Sequence, residues 1–515
     1  MSELPEGFAR HVADRNLDAA EASLQDAFPG RAPSSDAEAD DAGRALVGFV
    51  AACCETGRAD QAERIVDVLG TIRTRHIAYT EAYARAAFNV LTAYGEMGNV
   101  DSAAVYYERI ITNSDTFHGP IALREAFRSG YGLATYMARQ GRIGEASYIL
   151  EEMIRRLDTT AEHATYGGLV AKAVFNVMTA CGHVAGAESA ENIYQYLRDL
   201  AHTFPQNSEV SECLANGLHN VIAFLTSDGL AQHAERRYAE IDALRRLRPD
   251  HTVIAASHGQ CTVNIVALLS TQGQSERASA IAWAYADYAQ SFGLADRRYT
   301  AKALYNLVPY LFAERRASDI RKVYKRLKEL LQESGNDQEI LRSVAAAEAN
   351  LAVLTSAEGR FTEAEEWIRT ISFRVQRAKH ADILEQRADT VTSVAAYAAQ
   401  AANDHVLDRL FTFATGLADQ AGARGCDREI PFRVVIAVVD NFQNEAVQVG
   451  WLEWAVTQDV GAWNMRFARA SEDVLQRTLA LGAHTLTRRV VNVQKALDMT
   501  AFHERVPNRE GTRGK

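Results

Sequence analysis

Six asparagines return at one register of a repeating pattern: Asn89, Asn176, Asn220, Asn264, Asn306 and Asn350. Each stands nine residues before a turn residue, inside a segment whose apolar spacing is helical. Asparagine forms helices poorly, so its return in mid-helix calls for a role. A side-chain amide carries both donors and an acceptor. A row of such amides can hold the backbone of an extended chain without reading its sequence. The competing role is internal: each amide bonds within its own hairpin or to a neighbouring repeat, as buried amides do.

Four residues earlier, one turn back on the same face, lie Arg44, Arg85, Arg128, Lys172, Asn216, Gln260 and Lys302. Three residues after the asparagine position come Thr92, Thr135, Thr179, Ala223 and Ala267, then Pro309, Val353 and Ala395. The first half of the chain thus sets a row of positive charge beside the amides, against a formal net charge of −11. Such a local field selects an acidic segment or a carboxylate, which arginine can bind bidentately. The plainer alternative pairs these cations with local Glu55, Glu81 or Glu125. Toward the C-terminus Tyr305 and Phe312 make the face less polar, suited to apolar side chains of the same ligand or to a dimer contact.

The elements that place these residues are helical hairpins. In the stretch Ala84 to Ile110, Val90, Leu91 and Tyr94 mark one amphipathic helix, Gly98 ends it, and Asp101 caps the next. The second helix puts Ala103, Tyr107 and Ile110 on one face. A lone hairpin cannot bury both of its faces, so it requires neighbours. Turn residue and small contact residue recur as Arg15/Ala20, Gly57/Ala62, Gly98/Ala103, Gly141/Ala146, Ala185/Ala190, Gly229/Ala234, Gly273/Ala278, Arg315/Ile320, Gly359/Ala364 and Ala401/Val406, with a weaker copy near Gln443. The spacing of about 41 to 44 residues marks a stacked array. Tyr107, Tyr194, Tyr238 and Tyr324, four residues beyond the contact position, are read as packing between repeats.

Composition agrees with this architecture. A chain of 515 residues exceeds one ordinary core but suits an array, and 47% hydrophobic residues with 9 prolines suit a folded helical protein. The acidic balance disfavours nucleic acid as the partner. Cys53, Cys54, Cys181, Cys213, Cys261 and Cys426 form no CxxC pair and read as buried thiols in a reducing compartment. With no leader in MSELPEGFARH and no stretch read as long enough to span a bilayer, the expected address is the cytoplasm, without membrane insertion.

The turn-and-contact pattern GRADQAE, GNVDSAA, GRIGEAS and GRFTEAE resembles the tetratricopeptide repeat, over roughly residues 5 to 460. The period exceeds the usual 34 or so residues and is similar to the lengthened repeats of kinesin light chains. The resemblance implies an all-α, right-handed α-solenoid of about eleven hairpins with a C-terminal helical cap. It also implies that the asparagine row faces a concave groove. The chain departs from the pattern at the position seven before the turn, small in the family but Val50, Leu91, Met178, Ile222, Val266 and Val308 here. The HEAT class, with a period of about 40 to 47, is the structural rival.

In order, residues 1–28 read as an N-terminal capping hairpin, 29–420 as the array, 421–504 as a degenerate repeat with capping helices, and 505–515 as a disordered tail. Within the array, 29–41 begins as a loop whose acidic run opens a helix, and 158–168 and 204–208 read as loops. Trp451, Trp454 and Trp463 read as core of the cap, with self-association as the alternative. No HExxH, P-loop, GxGxxG or GxSxG appears, the histidines lack metal-ligand spacing, and no cofactor is called for. The expected function is a non-catalytic adaptor that binds an extended or disordered, acidic protein segment through Asn89, Asn176, Asn220, Asn264, Asn306, Asn350, Arg44, Arg85, Arg128, Lys172 and Lys302. Two alternatives use the same fold: a sensor that closes on a short peptide or small acidic ligand, and a scaffold that self-associates through its ends.

Overall fold

The turn residues set the frame. Backbone φ is positive at Gly57, Gly98, Gly141, Gly186, Gly229, Gly273 and Gly359, and also at Arg15, Arg315 and Ala402. In most of these turns the following N–H reaches back five residues to a helix carbonyl, as Asn99 N–H does to Tyr94 O at 2.9 Å and Arg360 N–H to Thr355 O at 2.8 Å. That bond closes a left-handed helix cap, which glycine enters without a Cβ penalty. Two expected turn positions shift by one. Gly186, at φ 82° and ψ −175°, replaces Ala185, and Ala402 replaces Ala401.

The computed structural model describes residues 8–27, 35–117, 119–160, 163–289, 293–375, 381–418, 425–441 and 444–456, with shorter helical stretches between 472 and 495. The expected tail at 505–515, the loop at 29–34, Trp463 and the side chains of Cys426 and Trp454 lie outside the described residues. Eleven hairpins follow one another: α1 (Phe8–Ala13) and α2 (Leu17–Ala27); α3 (Asp36–Glu55) and α4 (Ala59–Ile72); α5 (Ile77–Glu96) and α6 (Val100–Phe117); α7 (Pro120–Arg139) and α8 (Ile143–Thr159); α9 (His163–Thr203), which Gly186 breaks into both members; α10 (Ser208–Ser227) and α11 (Ala231–Leu247); α12 (Thr252–Thr271) and α13 (Ser275–Tyr288); α14 (Leu294–Ala313) and α15 (Ala317–Glu333); α16 (Gln338–Ala357) and α17 (Phe361–Val375); α18 (Ala381–Gln400) and α19 (Asp404–Ala418); α20 (Gly425–Asn441) and α21 (Glu445–Val456). The described fold is an all-α solenoid of helical hairpins.

The acidic run at 36–41 does open α3, with Ser35 capping it through the Glu38 N–H. The expected loop at 158–168 is largely absent, because α8 runs to Thr159 and α9 starts at His163. The chain forms two compact units, residues 1–265 and 266–515. In the first, α3, α5, α7 and α9 pack in succession, and each second helix also packs on the following first helix. In the second, α14, α16, α18 and α20 do the same.

Packing follows the sequence pattern. Val50, Leu91, Met178, Ile222, Val266 and Val308, the large residues at the family's small position, are fully buried, as are Ala62, Ala103, Ala146 and Ala234. Glycine permits close approach of successive first helices: a Cβ on Gly182 would lie 2.0 Å from the Phe224 ring, and one on Gly95 would lie 2.1 Å from Tyr136. Ion pairs tie second helices together, as in Arg64–Glu21 at 2.6 Å, Arg156–Asp115 and Arg409–Glu365 at 2.6 Å.

One expectation is corrected by the helices themselves. By length and hydropathy, Ala164–Thr203 and Thr252–Thr271 do reach the length of a bilayer span, though 50% and 56% of their most apolar windows are buried inside the protein. Helices α18, α19 and α20 pack together in the second unit. They build a continuous core from Ala388, Val391, Val394, Leu407, Leu410 and Val434, and Trp451 packs against it beside Phe411.

Candidate partner-binding face

The first helices carry the asparagines at half-buried positions. Asn176 on α9 donates from Nδ2 to Tyr131 Oη at 3.0 Å and to Thr135 Oγ1 at 3.4 Å, both on α7. Asn220 on α10 donates to Thr179 Oγ1 at 2.9 Å, on α9. Each threonine spends its own hydrogen on its helix, Thr135 on Tyr131 O and Thr179 on Phe175 O, both at 2.8 Å. Toward the amide it can therefore only accept, which fixes the amide orientation.

The internal alternative is thus realised for part of the row. The residue three beyond the asparagine position of the preceding repeat decides the partner. Where it is Thr135 or Thr179, the next asparagine is bridged. Where it is Pro309, Asn350 turns back and donates to Ala346 O on its own helix at 2.9 Å. Asn89 and Asn264 follow Ala51 and Ala223 and are half-buried on their helices, as is Asn306 after Ala267. The fourth repeat has Gly132 at the asparagine position, so the row is interrupted there.

Most of the cation row is paired with carboxylates rather than free. Lys172 pairs with Glu209 at 2.8 Å and Lys302 with Glu339 at 3.0 Å. Both pairs join a first helix to the start of the next one. Arg128 pairs with the buried Glu125 at 2.8 Å and covers the Phe88 ring at 4.2 Å, while Arg124 holds the other Glu125 oxygen at 3.1 Å. Arg44 pairs with Asp41, and Arg85 turns its Nε into the protein. Asn216 accepts from Ser257 Oγ at 2.9 Å on α12.

An aromatic row went unread in the sequence. Phe88, Tyr131, Phe175 and His219 stand one residue before the asparagine position and are half-buried. Their common register was the available signal. Burial lowers the His219 pKa, opposed by its hydrogen-bonding neighbour Asn220, so the ring is neutral near pH 7. His183 lies edge-on to Phe224 at 5.1 Å.

In the second unit Tyr305, Phe312 and Val353 are half-buried and Pro309 is exposed, in keeping with a less polar face there. Beyond them polarity returns. A cleft of about 500 Å³ between α18 and α20 is lined by Glu385, Asp389, Ser393 and Arg433 among others. Arg433 bridges Asp389 at 2.9 Å and Glu385 at 2.6 Å.

No group of three or more potential metal ligands converges among the described residues. The five described cysteines are unpaired. Burial raises the thiols of Cys54, Cys181 and Cys213 to about 11 and that of Cys53 to about 12, so all four are weak nucleophiles.

No protein-family model matches the chain, and no curated protein does. Among solved structures, an engineered protein is 14% identical, covering 86% of this chain and 100% of its own, with a TM-score of 0.48. Kap121p bound to Nup53p is 12% identical over 96% of this chain, with a TM-score of 0.43, and the match spans 59% of its length. The maize pentatricopeptide repeat protein PPR10 is 13% identical over 97% of this chain and 88% of its own, with a TM-score of 0.22. Likeness at these levels transfers no ligand and no residue role.

Proposed function

We propose that this chain is an interaction scaffold, an array of lengthened tetratricopeptide-type hairpins, which docks an extended segment of another protein along its first helices. The observation that carries the reading is the orientation of Asn176 and Asn220. Their Nδ2 groups are tied back to Tyr131, Thr135 and Thr179. The amide carbonyl of Asn176 is then left as an acceptor beside half-buried aromatics. Such an acceptor suits an N–H group of an extended backbone, and the aromatics suit its apolar side chains. With Lys172, Lys302, Arg128 and Arg44 already paired, most of the positive charge on this face is neutralised, which favours a polypeptide over nucleic acid. A cytoplasmic location fits this reading.

The experiment is site-specific photo-crosslinking. A photoreactive residue replaces Phe175 on the amide face, or Tyr148, which is 66% exposed on the second helix α8. In lysate of the native host, a protein partner crosslinked at 175 and not at 148 supports the reading. Crosslinks at 148 alone, or to nucleic acid at 175, would reject it.

A further inference from the structure

A cavity of about 540 Å³ opens in the first unit between the second helices α4 and α6, lined by Asp67, Gly70, Arg73, Tyr83, Val105, Glu108 and Arg109 among others. Two guanidinium groups flank it, each stacked on a tyrosine. Arg73 lies 4.9 Å over the Tyr83 ring, and Arg109 lies 4.8 Å over Tyr106. Arg109 also holds Asp67 Oδ1 at 2.9 Å. Arg73 differs from most arginines of this protein. No carboxylate among the described residues lies within ion-pair distance of it, and its Nε is buried without a hydrogen bond. Tyr83 is only 4% exposed. Burial raises its pKa while Arg73 and Arg109 both pull it down, so the phenol sits in the field of both cations.

The space exists because residue 70 is glycine. A Cβ there would stand 3.3 Å from Tyr83 Cε2 and 3.5 Å from Arg73 Nη1. Val105, 51% exposed, supplies an apolar lip.

We propose that this cavity binds an oxyanion, a carboxylate or a phosphate, held on the Arg73 guanidinium with Arg109 as the second cation and any carbon chain laid against Val105. A planar guanidinium fixed by stacking is preorganised for two parallel hydrogen bonds to such a group. Asp67 and Glu108 offset part of the positive field, so affinity is modest, with a dissociation constant on the order of 1 mM. The source is either a free anion or an acidic side chain of a partner chain.

Isothermal titration at constant ionic strength tests the site with three probes: inorganic phosphate, hexanoate, and an end-blocked peptide of alternating glycine and glutamate. Arg73→Gln removes the charge, and Gly70→Val fills the cavity while keeping Arg73. Arg236→Gln, on the exposed side of α11 and outside the site, serves as the control, and circular dichroism verifies that each variant is folded. Saturable binding of phosphate or hexanoate that weakens at least about tenfold in both site variants and not in the control supports the proposal with a free anion. The same pattern with the peptide alone supports it with a partner's carboxylate. No saturable binding by any probe, or binding in Arg73→Gln within about twofold of the parent, would overturn it.

Discussion

Asn220 donates to Thr179 across the boundary between two repeats, and Thr179 passes its own hydrogen to Phe175 O one turn back in its own helix. One two-step relay therefore couples the stacking of the array to the orientation of an asparagine on the proposed binding face. Thr179→Val keeps the shape and removes the acceptor. It should lower stability by about 0.5 to 1.5 kcal/mol, the ordinary worth of such a bond. Asn220→Ala should cost a similar amount. A double-mutant cycle in urea should show coupling between the two, and strict additivity would rule out the relay.

A second tie lies in the other unit. Glu348 is fully buried on α16. It accepts from Tyr324 Oη at 2.9 Å and from Arg374 Nε at 2.7 and 2.8 Å. Burial raises its pKa, and Arg374 opposes that rise. Arg374→Ala leaves the carboxylate buried without its charge partner and should destabilise the unit by about 3 to 5 kcal/mol. Adding Glu348→Leu should recover much of the loss. Equal unfolding midpoints for the single variant and the parent would refute the tie.

The tyrosine register offers a contrast within one protein. Tyr324 bonds Glu348, but Tyr107, at the same repeat position, has Gly130 at the register of Glu348 and carries a buried hydroxyl with no hydrogen bond. Tyr324→Phe should cost about 1.5 to 3 kcal/mol, the range for a bond to a charged group. Tyr107→Phe should fall within about 0.5 kcal/mol of the parent or stabilise it, since it removes an unsatisfied polar atom. Equal losses in the two variants would show that the hydroxyl environments do not differ.

Acid should loosen the first unit through His258. Burial holds its pKa near about 4, below the ordinary 6.5, despite Asp242 Oδ1 at 3.5 Å and with Arg245 and Arg246 pushing the same way as burial. Tyr238 and Thr262 complete its surroundings. The unfolded chain binds this proton more readily than the folded one between these two values. Stability is therefore full above about pH 6.5 and falls as pH drops toward 4. The thermal midpoint of the parent should decline over that window, and His258→Gln should flatten the decline. An unchanged slope in the variant would assign the acid sensitivity elsewhere.

Much of the fold was legible because glycine turns act locally. Gly57, Gly98, Gly141, Gly229, Gly273 and Gly359 adopt the positive φ that their places in the pattern require. The reading slipped by one at Ala185 and Ala401, where strict spacing was preferred to the adjacent Gly186 and to the Ala402 that the backbone bends at. The run at 158–168 read as a loop because its residues are polar, yet helix contacts extend both neighbours into it. The site was half legible. The asparagine and threonine positions were both visible, but their pairing depends on the register of one repeat against the next. The same stacking brings Glu209 to Lys172 and Glu339 to Lys302, each 37 residues on, and so cancels a charge row that the linear sequence displays as free.

The central claim rests on Asn176 and Asn220, and one comparison addresses it most directly. Affinity for the crosslinked partner is measured for Asn176→Ala with Asn220→Ala, and for Thr135→Val with Thr179→Val. Both pairs lose the bonds from Asn176 to Thr135 and from Asn220 to Thr179; the asparagine pair also loses the bond to Tyr131, and the threonine pair the back-bonds to Tyr131 O and Phe175 O. The account predicts that the asparagine pair weakens the partner by about tenfold or more, while the threonine pair, which keeps the amides, weakens it less. Equal affinities in the parent and both variants would contradict a ligand role for the row and leave the asparagines as joints between repeats.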